Sequence, residues 1–123
     1  PVIINNEVEY EIKKNFNYKK HFKMTRLLIY NLNKTLRLLS QSLSAYYAGQ
    51  YSQALDITNQ AIELMPELAI SYARKGSIYY KIGDIQRATV NWNLALNLDP
   101  DYTEVREVLM AMKNNSNYIK LPE

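Results

Sequence analysis

No cysteine occurs anywhere in the chain. That excludes disulfides and thiolate metal sites, and it leaves the redox compartment open because cysteine-free chains suit either side of a bacterial inner membrane. Histidine is almost as scarce. His21 stands alone, and one imidazole without cysteines or clustered acids makes no metal site. Neither a metal nor a cofactor is therefore expected. Glycine occurs only three times, which leaves few loops on which to mount chemistry. There is no glycine-rich phosphate loop, nucleophile elbow, Cys/His pair or paired-carboxylate motif, and a non-catalytic role is the expectation. No stretch approaches the roughly 18 consecutive apolar residues of a membrane-spanning helix. A proline at position 1 is the start expected of a processed or an excised chain, from which any export signal would already have gone.

What the chain does have is an echo of itself. Gly49 recurs as Gly83, Ala54 as Ala88, Ala61 as Ala95 and Pro66 as Pro100, each 34 residues on; Tyr46 and Leu64 recur as Tyr80 and Leu98. A fixed period of this size marks a stacked repeat. Each recurring residue has a physical task. Glycine takes the left-handed conformation that closes a helix, so Gly49 and Gly83 end first helices. Proline lacks an amide hydrogen and clashes with the preceding turn, so Pro66 and Pro100 stop second helices. Alanines seven apart lie on one helix face and let a neighbouring helix approach closely. Each unit is thus an antiparallel helix pair, and the fold class is all-α.

In the second copy, Tyr72, Gly76, Tyr79, Gly83, Ala88, Trp92, Ala95 and Pro100 stand where the tetratricopeptide repeat motif places its large, small and breaking residues. The segment resembles that family, with Lys75 where leucine is commoner. The first copy resembles it more loosely: Ser42 and Ala45 replace the counterparts of Gly76 and Tyr79, and Thr58 replaces the large aromatic. The organisation implied is an extended basic arm over residues 1–23, a tetratricopeptide-like domain over 24–115 and a tail over 116–123. Within the domain, repeats fall at about 35–68 and 69–102. A capping helix at about 103–115 turns Val105, Val108, Leu109 and Met112 inward. Two copies are fewer than the three or so such arrays normally need, so something else must complete the structure.

Charge is unevenly spread. Residues 1–37 carry eight Lys or Arg against three Glu, and the remainder carries seven against nine Asp or Glu. Residues 7–12 alternate charged and apolar side chains, the pattern of a half-buried strand. Lys13, Lys14, Lys19, Lys20 and Lys23 then interleave with Phe16, Tyr18 and Phe22. A solvated linker, an acidic protein partner, an anionic surface and nucleic acid all fit that composition. No recognition signature accompanies the charge, which makes nucleic acid the weakest of these. A long helix is expected from about residue 24 to 48. Its stripe of Leu28, Leu32, Leu36, Leu39, Leu43 and Tyr46 packs on the chain's own second helix and on the N-terminal strand, or else Leu27, Leu28, Ile29 and Leu32 dock onto another protein or a second copy.

In tetratricopeptide-like arrays the first helices line a concave face where ligands commonly lie. By that resemblance the groove here is lined by Leu39, Leu43, Tyr46 and Tyr47 from one copy and by Ala73, Arg74, Ser77, Tyr80 and Lys81 from the next. Members that grip a terminal carboxylate use several Lys and Asn residues on this face, and Leu39 and Leu43 break that pattern. An apolar, tyrosine-rich groove better suits an amphipathic helix or an extended apolar segment, including the chain's own residues 2–12. The expected role is a protein-interaction scaffold or adaptor. Richness in Asn, Ile, Lys and Tyr suggests a low-GC bacterium. The resemblance then points to the periplasm or envelope, in a pilus, secretion system or flagellar motor.

Overall fold

The computed structural model describes Glu7, Tyr10, residues 18–114 and residues 119–122. Among these residues all regular structure is helical. Over residues 18–113 five helices follow one another: α1 (Tyr18–Tyr47), α2 (Tyr51–Leu64), α3 (Ala69–Ile82), α4 (Ile85–Leu98) and α5 (Thr103–Lys113). α1 packs chiefly on α2 and α3 on α4. The two pairs meet through α2 and α3, and α5 closes the far side against α4.

The 34-residue echo reaches down to individual backbone bonds. Gly49 and Gly83 have φ of 76° and 98°, a region in which only glycine is unstrained. The Gly49 amide donates to Tyr46 O and the Gln50 amide to Ala45 O; Gly83 donates to Tyr80 O and Asp84 to Tyr79 O. These are the same two bonds shifted by one period, and they satisfy carbonyls that a helix end otherwise leaves open. The proline loops are latched alike. Tyr72 Oη donates to Pro66 O at 2.7 Å, and 34 residues later the Arg106 guanidinium donates to Pro100 O. At the start of α4 the Asp84 carboxylate accepts from the Arg87 amide at 3.0 Å. That bond, above all, and the Arg87 guanidinium hold the Asp84 pKa below its usual range.

Ala54, Ala61, Ala88 and Ala95 are fully buried, as the contact between paired helices requires. The core has two centres. The first gathers Ala45, Tyr46, Ala54 and Ile78; the second gathers Ala73, Ala88, Trp92, Ala95, Val105 and Val108 with Leu109 and Met112 against it. The inward face expected of α5 is the one found.

One core contact at which the copies differ is complete in both versions. In the second copy a Cβ on Gly76 would lie 2.4 Å from Trp92 Cδ1, so the indole rests directly on the α3 backbone and donates from Nε1 to Ala73 O at 3.2 Å. In the first copy the equivalent positions are Ser42 and Thr58. Their hydroxyls meet at 2.6 Å, and Thr58 donates onward to Ala54 O at 2.8 Å. Thr58 has one proton, so Ser42 donates to it. A large-and-small pair in one repeat is replaced by a matched polar pair in the other, with the hydroxyls of Ser42 and Thr58 both satisfied.

Two expectations at the N-terminal side change. α1 begins at Tyr18, six residues before Met24, so Lys19, Lys20 and Lys23 lie on a helix and not on an extended arm. The physical reason is local: lysine is a good helix former, no glycine or proline occurs between residues 18 and 48, and Thr25 Oγ1 donates to His21 O within the helix. Of the strand expected over residues 7–12, Glu7 and Tyr10 are helical and the other four lie outside the described residues, as do Lys13 and Lys14.

Candidate functional site

The expected groove residues separate into three groups. Leu39, Tyr46, Ala73, Arg74 and Ser77 are buried, Leu43 and Tyr80 are half-buried, and Tyr47 and Lys81 are exposed. Leu43 packs against the first core centre and Tyr80 against the second. Most of the expected lining is therefore floor, and its accessible part is narrower than the helical spacing implied.

Arg74 illustrates why. It leaves α3 on the concave side, but Nη1 donates to Leu39 O on α1 at 2.7 Å. The guanidinium ties the first helix of one repeat to the first helix of the other. Only 5% of the residue is exposed, and burial, opposed by the nearby phenols of Tyr102, Tyr47 and Tyr46, lowers its pKa. Nε has no hydrogen-bond partner among the described residues. A long cation that heads toward a groove in sequence thus serves as an inter-repeat strut.

Beside it lies an open pocket with a cavity volume of about 400 Å³, walled by Tyr46, Tyr47, Tyr51 and Lys81 on one side and by residues 119–122 on the other. Tyr46 forms the aromatic base. Its ring meets Tyr47 at 5.4 Å and Tyr51 at 5.9 Å between centroids, both edge-on, the arrangement favoured by ring quadrupoles. Burial pushes the Tyr46 phenol pKa up to about 12, with smaller effects from Tyr51 and Tyr47 in the same direction. A raised value means the folded state holds the proton more tightly. The associated stability is present below the unfolded value near 10 and is lost as pH rises from there through about 12. Thermal melts across that interval should show a fall in Tm that Tyr46→Phe reduces; an unchanged fall would show that Tyr46 titrates as an exposed phenol.

Two contributors escaped sequence reasoning. Tyr51, the first residue of α2, joins the wall. Residues 119–122 run without helix along the groove. Leu121 packs against both core centres and Ile119 against the second, while Lys120 faces solvent and Pro122 is buried. The Ser77 hydroxyl has one proton and shares it between Ala73 O at 3.1 Å and Pro122 O at 3.3 Å. The alternation of Ile119, Lys120 and Leu121 was the available signal, and a stretch that short carries no usable periodicity.

A second exposed feature is the first part of α1. Phe22, Met24, Leu27, Leu28, Ile29 and Tyr30 are each more than half exposed. Lys19, Lys20 and Lys23 are exposed on the same stretch, so the structure places these three lysines beside an apolar run and away from the tyrosine pocket. Among the described residues no three His, Cys, Asp or Glu side chains come together, and no helix is long and apolar enough to cross a membrane. No known family model matches the chain.

Proposed function

We propose that this chain is a tetratricopeptide-like interaction scaffold, without catalytic activity, that binds an extended apolar segment of another protein in the groove between α1 and α3. One observation carries the reading: the groove already holds a non-helical segment, with aliphatic side chains packed inward and a carbonyl accepting from Ser77. A surface that seats one such chain has the right width and chemistry for another. The tyrosines add large contact area at low entropic cost, and Lys81 at the rim favours a partner with acidic flanking residues. An assembly in a bacterial envelope, such as a pilus, secretion system or flagellar motor, is the setting that the repeat resemblance favours.

The accessible wall supplies the test. Tyr47 is 63% exposed, so Tyr47→Ala should leave stability nearly unchanged, whereas Tyr46 is core and its removal would confuse binding with folding. Apolar peptides enriched by panning a displayed peptide library on the full chain should bind the Tyr47→Ala protein at least about fivefold more weakly, in line with the roughly 1 kcal/mol expected of an interface tyrosine. Their affinity should change little between low and moderate salt. Equal binding to both proteins would remove the groove from the reading. A steep salt dependence would move recognition to the lysines of α1.

A further inference from the structure

The segment seated in the groove also describes what competes with it. We propose that residues 119–122 are a built-in, displaceable occupant of the partner groove. The partner would then offer an extended segment of the same chemistry: aliphatic side chains two residues apart, a solvent-facing residue between them and proline next. This rests on the groove reading above and goes beyond it in naming the segment pattern and the competition.

Three observations support it. The segment's recognition elements are spaced as a strand spaces them, with Ile119 and Leu121 turned toward the core and Lys120 toward solvent, so the groove reads alternate side chains. Its anchorage is slight beside that of the helices: two half-buried aliphatic side chains, one buried proline and one shared hydroxyl proton. Segments held by so few contacts open locally at a small fraction of the global unfolding cost. Finally, the pocket is incompletely filled, since a cavity of about 400 Å³ remains between the segment and the tyrosine wall. A partner that reaches Tyr47 and Tyr51 as well makes contacts the built-in segment leaves unmade.

The connection sets the strength of the competition. Five residue steps separate Asn114 from Ile119, a reach of at most about 18 Å. A tether this short holds the segment at an effective concentration on the order of millimolar. An incoming segment sees only the fraction of molecules whose groove is open, and its apparent affinity falls by that fraction.

The test uses a synthetic peptide with the sequence of residues 115–123, fluorescein-labelled for titration and unlabelled for spectroscopy. The full chain carrying Ile119→Asp and Leu121→Asp should bind the labelled peptide at least about tenfold more tightly than the unaltered chain. Independently of any variant, excess unlabelled peptide added to the 15N-labelled unaltered chain should move the Ile119, Lys120 and Leu121 amide signals to free-chain positions. Signals that stay fixed at saturating peptide would show a permanent strut and overturn the proposal, as would equal affinity of the two proteins. Should the double variant fail to fold, the spectroscopic result alone decides. Displacement that succeeds while library peptides ignore Tyr47→Ala would instead count against the scaffold reading, so the two ideas fail separately.

Discussion

Trp92→Ala should lower the unfolding free energy by about 3–5 kcal/mol, the usual cost of truncating a large, fully buried aromatic. The ring is 0% exposed, sits at the centre of the second core and donates its only N–H to Ala73 O. Its removal empties the space beside Gly76 and leaves a buried carbonyl without its extra partner. Urea unfolding monitored by circular dichroism checks the value. A loss below about 1 kcal/mol would mean that α3 and α4 are not held together through this ring. The same truncation in the other repeat, Thr58→Ala, removes far less volume and should cost on the order of 1–2 kcal/mol, chiefly through the unsatisfied Ser42 hydroxyl.

Gly76→Ala should also destabilise, by about 2 kcal/mol, although intrinsic preference argues the opposite. Alanine gains about 1 kcal/mol over glycine in a helix interior. Against that stands a Cβ placed 2.4 Å from Trp92 Cδ1 and 2.5 Å from Nε1. The indole is enclosed on all sides and cannot move away without disturbing Ala73, Ala88 and Ala95. Overpacking of this kind costs about 1–3 kcal/mol beyond any local gain. The decisive comparison is a double-mutant cycle: in a Trp92→Thr background the penalty should vanish, and Gly76→Ser should become favourable by restoring the hydroxyl pair native to the first repeat. A stabilising Gly76→Ala in the unaltered chain would contradict the observed contact.

These two positions also show how far the sequence could be read. The glycines at 49 and 83 and the four alanines were legible because backbone conformation and helix approach admit almost no other residue there. Ser42 and Thr58 read as a looser copy of a motif, yet they form a complete alternative contact. Departures from a pattern show their logic only when both partners are seen together, 16 residues apart. The site was less legible than the fold. Tyr46 and Tyr47 are neighbours in sequence and chemically identical, but one is core and the other wall, a difference set by a rotation of about 100° around α1. Arg74 was placed on the correct face, while the length of its side chain let it reach Leu39 O and leave the surface. The occupant of the groove gave no signal beyond an aliphatic alternation too short to count. The start of α1 moved because helix propensity overrode the appearance of a charged linker.

Trp92 carries one more consequence, a spectroscopic one. It is the chain's only tryptophan, and it lies wholly within the second repeat, where the first repeat has Thr58. Intrinsic fluorescence excited at the indole band therefore reports on one helix pair alone, while circular dichroism averages over both. The protein carries its own asymmetric probe, able to distinguish unfolding as a single unit from fraying that begins at the first repeat, with no label introduced.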